Sequence, residues 1–142
     1  MQIAIANDHA GVKLKNKIVD FFSLQDIDFI NLGSNDLESV DYPDYAHLVV
    51  DSIIEGRAQK GILICATGIG MSIAANRSAE IRAALCLNEF MTERARAHND
   101  ANVLVLASKI TSDKDSIAIV KKFLSTEFEG GRHTKRVEKT NR

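Results

Sequence analysis

Apolar residues along the chain follow two alternating patterns. Short continuous apolar runs, bounded by polar or turn-forming residues, are typical of strands that are buried on both faces. The segments between them place apolar residues three and four positions apart, as Leu14, Ile18 and Phe22 do, which predicts amphipathic helices. The predicted strands are residues 2–7, 28–32, 61–65, 82–87 and 103–107, and the predicted helices are residues 10–24, a segment from Pro43 to Ile54, and residues 70–77, 89–98 and 113–125.

This alternation predicts a single α/β domain over residues 1–142. Buried parallel strands need helices on both faces of their sheet. We therefore expect a Rossmann-like three-layer sandwich with a five-stranded parallel sheet, followed by a C-terminal basic tail or helix after Gly130 and Gly131. In such sheets ligands bind at the carboxyl ends of the strands, so the residues that directly follow each strand are the first candidates for function.

The composition narrows the class of protein. Hydrophobic residues make up 45% of the 142 residues and charged residues 26%, as in globular and not in disordered chains. No apolar run approaches about 18 residues, so we expect no membrane-spanning segment. The first residues lack the basic stretch of a secretory signal, and two cysteines without disulfide or zinc spacing favour a cytoplasmic protein with no metal site.

Charge is distributed unevenly. The net charge is −1, but the segment 130–142 has five basic residues and one acidic residue, which leaves −5 on the rest of the chain. Such a basic tail (residues 129–142) indicates an anionic ligand or a neighbouring acidic subunit, or else a solvated tail. Nucleic acid is not an expected partner, because the chain has no tryptophan, few aromatic residues and no extended basic stripe.

The most informative segment is GILICATGIGMS at residues 61–72, where a buried strand passes through a glycine-rich turn into a helix. Gly68 and Gly70 allow a ligand to approach the backbone, and the helix N-terminus offers free N–H groups to a phosphate or an oxyanion. The same groups favour the thiolate form of Cys65. The alternative is a buried, inert cysteine. The adjacent Thr67 and the two glycines favour the functional interpretation.

Nucleotide-binding motifs fit this segment poorly. The residues 68–73 read G-x-G-x-x-I, so the third small residue of the dinucleotide fingerprint is missing. The segment also follows the third predicted strand, whereas the fingerprint usually follows the first. No phosphate-binding loop of the G-x-x-x-x-G-K-[ST] type is present. Glu89 lies about 20 residues further on, where that fingerprint has an acidic residue, so dinucleotide binding stays open as a weak alternative to a protein with no cofactor.

Other polar residues stand at the ends of predicted elements. Asp8 and His9 follow the first strand, where they could face a ligand, although an N-cap role is equally consistent. His98 closes a helix, where the helix dipole favours an imidazole whether or not it has a function. Arg132 and Arg136 are four residues apart, so a helical tail would place both guanidinium groups on one face as a phosphate clamp.

Five motifs together resemble ribose-5-phosphate isomerase type B, a family that includes galactose-6-phosphate isomerase subunits. They are NDHAG at 7–11, DYPDYA at 41–46, GILICATGIGMSIAANR at 61–77, HNDANVL at 98–104 and EGGRHTKRV at 129–137. The resemblance covers nearly the whole chain in order. It implies a Rossmann-like fold, no cofactor, and a homodimer or dimer of dimers with shared active sites. It also implies interconversion of ribose 5-phosphate and ribulose 5-phosphate in the non-oxidative pentose phosphate pathway.

The resemblance implies a role for each matching residue. Cys65 would be the base that moves a proton between carbons 1 and 2, and His98 would assist opening of the sugar ring. Thr67 and the backbone of Ala66, Gly68, Ile69 and Gly70 would hold the enediolate oxygen. The other residues that would contact the substrate are Asp8, His9, Tyr42, Asn99, Lys109, Arg132 and Arg136.

Two positions depart from the pattern of many relatives. Ala66 replaces a glycine, and Lys109 replaces an arginine, which keeps the charge but loses the bidentate geometry. Two other functions remain open. One is isomerisation of a six-carbon sugar phosphate such as allose or galactose 6-phosphate. The other is a catalytically silent anion-binding module on the same fold, although binding alone needs neither a thiolate nor an imidazole.

Overall fold

A computed structural model describes residues 1–141, so Arg142 of the basic tail lies outside the described residues. Within that range the chain forms the five predicted strands, the five predicted helices and a sixth helix in the basic tail. The elements in chain order are β1 Gln2–Asn7, α1 Val12–Phe22, β2 Asp28–Asn31, α2 Tyr42–Ile54, β3 Lys60–Cys65, α3 Ile69–Ala75, β4 Ala83–Leu85, α4 Glu89–Asn99, β5 Val103–Ala107, α5 Asp113–Ser125 and α6 Arg132–Glu138.

The five strands form one parallel sheet in the order β2-β1-β3-β5-β4. From β1 the chain first adds β2 on one side and then crosses over to add β3 on the other. This reversal opens a crevice at the carboxyl ends of β1 and β3, which is where ligands bind in open α/β sheets. The register pairs Asn7 with Ile64 and Cys65 with Ala107, so residues 8 and 66 lie on either side of that crevice.

Alternate residues of each central strand contribute to two separate cores. Ile62 and Ile64 pack on one face with Phe22 of α1 and Phe123 of α5. Leu63 and Cys65 pack on the other face with residues of α2 and α3. Helices on both faces and continuously buried strands confirm the predicted Rossmann-like three-layer sandwich.

Three predicted elements differ from the structure by more than one residue in their boundaries. The predicted helix 10–24 begins as a single 3-10 turn, His9–Gly11, before α1 starts at Val12. The helix predicted at 70–77 covers Ile69–Ala75, and the strand predicted at 82–87 is only Ala83–Leu85. The basic tail contains a helix, α6, which begins directly after Gly131. Among residues 1–141, no helix combines the length and the apolar character needed to cross a membrane.

Candidate functional site

Cys65 is the last residue of β3 and is only 5% exposed, with its sulfur at the entrance to the glycine turn. The backbone N–H of Gly68 donates a hydrogen bond to its Sγ at 3.1 Å. A donor in this position stabilises negative charge on the sulfur. The other cysteine, Cys86, is a contrast, because burial raises the pKa of its thiol and it packs in the core. The two cysteines therefore lie in different surroundings, on opposite faces of the sheet.

The glycine turn is closely packed against the rest of the fold. Gly68 has a φ of 76°, a left-handed conformation, and a Cβ at this position would lie 2.4 Å from Cδ1 of Leu85. A Cβ on Gly70 would lie 2.5 Å from the Tyr42 ring, so that ring covers the turn directly. Both positions require glycine for physical reasons. This packing brings Tyr42 of α2 and the turn after β3 together, as the resemblance implies.

The exposed part of the turn offers polar groups above Cys65. The Thr67 hydroxyl accepts a hydrogen bond from the Ile69 N–H at 3.3 Å and is itself exposed. Ala66 accepts at its carbonyl from the backbone N–H of Lys109 at 3.0 Å, which places Lys109 beside the turn with its side chain in solvent. The segment after β5 therefore closes one side of the Cys65 site.

Asp8 and His9 lie on the other side of the crevice, after β1. The Asp8 carboxylate accepts from the backbone N–H of Ala10 at 2.9 Å, which confirms the N-cap interpretation. Nδ1 of His9 accepts from the Val40 N–H at 3.3 Å. Because Nδ1 accepts, the neutral imidazole carries its proton on Nε2 and can donate there. Both residues are thus fixed by backbone groups at the crevice.

A second group of functional candidates lies at the amino edge of the sheet. His98 is near the end of α4, five residues before β5 begins, and α4 runs antiparallel to the strands. Its ring stacks on that of His133 from α6, with centroids 4.1 Å apart and planes 12° apart. The Glu129 carboxylate lies 3.7 Å from Nε2 of His98 and 3.4 Å from Nε2 of His133. Burial and the positive charges of His98 and Arg132 lower the pKa of His133.

Asn99 and Arg136 line a cavity of about 620 Å³ beside this group, together with Arg77 and Arg82. None of the residues around Cys65 lines it. The helix end is fixed by Asp100, which has a left-handed φ of 48° and accepts hydrogen bonds from the side chains of Arg82 and Arg96. Arg132 is also exposed on α6 but does not line the cavity.

One chain therefore carries two groups of candidate residues at opposite edges of its sheet, named here the carboxyl half-site and the amino half-site. A five-residue strand such as β5 is roughly 16 Å long. Cys65 lies beside the end of β5 and His98 lies before its start, so the two side chains are too far apart for a hydrogen bond. The carboxyl half-site consists of Asp8, His9, Tyr42, Cys65, Ala66, Thr67, Gly68, Ile69, Gly70 and Lys109. The amino half-site consists of His98, Asn99, Arg132 and Arg136.

His98 of the amino half-site belongs to the one group among residues 1–141 with metal-ligand potential. Donor atoms of His98, Glu129 and His133 lie within 4.8 Å of one another. A zinc ion held by two imidazoles lies close to the plane of each ring. The two rings are stacked face to face, so their lone pairs do not converge on one point. The arrangement is suited instead to sharing protons between an acid and two bases.

Sequence reasoning missed Glu129, His133 and Lys15, which lie beside these half-sites. Glu129 and His133 are four residues apart and flank the two glycines, a spacing that could have indicated a pair. Lys15 is fully buried, and its ammonium group donates to Ser34 in the loop beside His9. The sequence feature that could have indicated its burial is its position on the apolar face of α1, three residues before Ile18.

Comparison with known proteins agrees with this geometry over nearly the full chain. A family model described as Ribose/Galactose Isomerase matches residues 3–140. A protein of Rickettsia conorii named as a sugar phosphate isomerase is 54% identical over 137 residues, which cover 96% of this chain and 95% of that protein. A crystal structure of ribose 5-phosphate isomerase from Thermotoga maritima has 50% identity and a TM-score of 0.96, covering 99% of this chain and 97% of that one.

A further solved structure contains a sugar phosphate. It is the ribose-5-phosphate isomerase B of Mycoplasma genitalium with bound ribulose-5-phosphate, at 41% identity and a TM-score of 0.94, covering 98% of this chain and 93% of that one. The backbone of that relative, which is similar to the backbone of this chain, accommodates a pentulose phosphate.

Proposed function

Because the chain belongs to the ribose/galactose isomerase family and is an isomerase, we propose that it interconverts ribose 5-phosphate and ribulose 5-phosphate through an enediolate. The observation that carries this proposal is the Cys65 sulfur, held at 3.1 Å from the Gly68 N–H in a turn covered by Tyr42. Aldose–ketose isomerisation needs one base that reaches two adjacent carbons and donors for the intermediate's oxygen. The pentulose phosphate in the Mycoplasma relative supports the choice of substrate.

In the proposed mechanism Cys65 is the base. Its thiolate takes the proton from carbon 2 of the open-chain aldose, and the resulting thiol returns a proton to carbon 1. The electron pair moves through the enediolate, whose oxygen on carbon 1 accepts hydrogen bonds from the Thr67 hydroxyl and the backbone N–H groups of the turn. As the ketone forms, the hydroxyl proton on the oxygen of carbon 2 passes to the oxygen of carbon 1. Asp8, His9 and Tyr42 would hold the sugar hydroxyls at the crevice. The geometry of the turn supports this assignment because donors and sulfur lie within one six-residue segment.

The amino half-site would serve the same sugar from a second subunit. His98 would move a proton during ring opening, Asn99 would contact a hydroxyl, and Arg132 and Arg136 would bind the phosphate. Because one chain holds the two half-sites at opposite sheet edges, a homodimer or a dimer of dimers with shared sites is the assembly we propose. Phosphate binding far from the reacting carbons orients the open chain for proton transfer. This reaction would serve the non-oxidative pentose phosphate pathway in the cytoplasm.

The proposed function is tested by a coupled assay of the purified protein, without added metal, on ribose 5-phosphate, allose 6-phosphate and galactose 6-phosphate. We expect turnover of ribose 5-phosphate and a loss of about 10²- to 10⁴-fold in kcat for Cys65→Ala. Cys86→Ala is the matched control and should keep kcat, because Cys86 packs in the core on the sheet face opposite Cys65.

The other outcomes of this assay have distinct meanings. Preference for a six-carbon substrate would keep the mechanism and change the substrate, which the galactose part of the family description makes a real alternative. Near wild-type kcat in Cys65→Ala would remove the cysteine as the base. No turnover by a folded protein would leave an anion-binding module or a subunit that lacks a different partner chain.

A further inference from the structure

Lys15 is the least expected residue in the core. It lies in α1 with no exposed surface, among the largest fully buried side chains. Its ammonium Nζ donates to the Ser34 carbonyl and to Oδ1 of Asn35, each at 2.6 Å. Within residues 1–141 no carboxylate lies within the 4.0 Å distance of an ion pair with it. Burial lowers the pKa of this amine.

Packing alone does not account for a lysine at this position. Removing an ammonium group from water is unfavourable, and an apolar side chain of similar volume usually serves a core at least as well. A methionine would fill the same space in α1 without that cost. What the lysine provides and a methionine does not is its two hydrogen bonds, both of which end on the loop that follows β2.

That loop, residues 33–41, connects Lys15 to the proposed substrate site. Its start is fixed by Lys15 and by Asn7, which also donates to the Ser34 carbonyl, at 3.0 Å. Near its end, the Val40 N–H donates to Nδ1 of His9. The loop then enters α2, whose first residue is Tyr42, the residue that covers Gly70. One segment thus joins a buried amine to two proposed sugar contacts.

We propose that Lys15 is a positioning residue that fixes the loop 33–41, and through it the tautomer of His9 and the placement of Tyr42. With the loop held, the Val40 N–H occupies Nδ1 and leaves the proton of the neutral imidazole on Nε2, where it can donate to a sugar oxygen. Lys15 does not touch the substrate itself. The functional part of this inference rests on the proposed function, whereas the effect on His9 does not.

The test replaces Lys15 with methionine, which keeps the volume and removes the hydrogen bonds. The thermal midpoint should stay or rise, because a buried charge is lost. KM for ribose 5-phosphate should rise about tenfold with a smaller change in kcat, because small misplacements of binding groups reduce productive binding. Lys13→Met is the matched control on the same helix, because Lys13 is exposed, and it should change neither quantity.

A second measurement does not depend on turnover. The chain has four histidines, so the ¹⁵N ring shifts of His9 can be assigned with a His9→Gln variant. In the wild type they should show Nε2 protonated, and in Lys15→Met a mixture of tautomers. Asn35→Ala removes one of the two acceptors of Nζ and should shift the His9 signals in the same direction by less.

The possible results separate the two proposals. If Lys15→Met leaves both KM and the His9 shifts unchanged, the positioning role is wrong. If Lys15→Met fails to fold while Asn35→Ala leaves His9 unchanged, Lys15 is structural only, which also overturns the proposal. If the wild type does not turn over ribose 5-phosphate but Lys15→Met changes the His9 tautomer, the proposed function fails and the positioning of His9 stands.

Discussion

The two half-sites are built in different ways. Around Cys65, positions are set by backbone packing: the Gly68 N–H holds the sulfur, and glycine is needed at both close contacts of the turn. Around His98, the candidate groups are positioned by contacts between side chains near helix ends. Asn99, Arg132 and Arg136 are all exposed. The carboxyl half-site is thus formed within one fold, whereas the amino half-site presents its groups outward.

This difference separates two sources of precision. Atoms that carry out chemistry need positions fixed to fractions of an ångström, which backbone packing provides. Groups that bind a phosphate tolerate more freedom, because guanidinium groups on long side chains can adjust to an anion. If the half-sites meet between subunits, the fold of one chain positions the groups that carry out the chemistry. Assembly of the subunits then positions the groups that bind the phosphate.

Subunit mixing provides the largest test of this comparison. Cys65→Ala and His98→Asn should each lose about 10²-fold or more in kcat as homo-oligomers. When the two variants are co-expressed with different tags, half of the randomly formed dimers contain one chain of each kind. Each mixed dimer has one intact shared site out of two, so the mixture should recover about one quarter of wild-type activity. Recovery is measured on the doubly tagged fraction and on the random mixture. Absence of recovery in a confirmed hetero-oligomer would mean that each site is completed within one chain.

Substitution in the turn tests the rigid half-site by stability. Gly68→Ala should reduce the free energy of unfolding by about 2–5 kcal/mol, through the left-handed backbone and overpacking of its Cβ against Leu85. Gly56→Ala is the matched control: Gly56 has the same φ of 76°, but nothing lies within 4 Å of its Cβ. The free energy of unfolding of Gly56→Ala should fall by only about 1–2 kcal/mol, the cost of a left-handed backbone without overpacking. Denaturant unfolding curves measure both, and equal losses would contradict the packing argument.

Arg136→Ala tests the adjustable half-site and should have a smaller effect. We expect KM for the sugar phosphate to rise about tenfold with kcat changed by less, because the variant would lose the proposed charge-assisted hydrogen bond to a remote phosphate. Lys135→Ala, on the same helix and also exposed, is the control and should leave KM unchanged. Steady-state kinetics decide this, and a fall in kcat with constant KM would assign Arg136 a role in the chemical step instead.

The smallest effect concerns pH and His133. Burial, with the charges of His98 and Arg132, lowers its pKa below the ordinary value of 6.5. At pH values between the lowered pKa of the folded protein and the ordinary pKa of the unfolded chain, the unfolded chain binds more protons. The free energy of unfolding should therefore fall as pH decreases below about 6.5. His133→Asn should weaken this dependence, and His47→Asn, at an exposed position of α2, should not. Thermal midpoints at several pH values measure the slopes, and equal slopes would exclude His133 as a contributor.

The architecture was predictable because its signals are local. Continuous apolar runs and helical spacing depend only on neighbouring residues, and all five strands and the main helices follow from them. The start of α1 was not visible in periodicity. A Cβ on Gly11 would lie 2.7 Å from Cβ of Asn7 and 2.8 Å from Ile64, so close packing with the sheet accompanies the 3-10 turn there.

Of the candidate site, the residue types were predictable and their grouping was only partly so. Cys65, Thr67 and the two glycines are adjacent in sequence, so their proximity is assured. The contact between Tyr42 and Gly70 depends on how α2 crosses the sheet, which spacing does not reveal. The assignment of His98 to the opposite edge depends on strand direction, and the burial of Lys15 depends on a loop 20 residues away in sequence.

The strand order also has a consequence for the order of events during synthesis. β4 pairs only with β5, which lies between it and β3. When residues 83–85 leave the ribosome, their partner does not yet exist, and β3 presents an open edge until residues 103–107 arrive. Gly68 packs against Leu85, Val105 and Leu106. The turn that holds Cys65 is therefore completed late, and a nascent chain lacking β5 should be prone to aggregation while it waits.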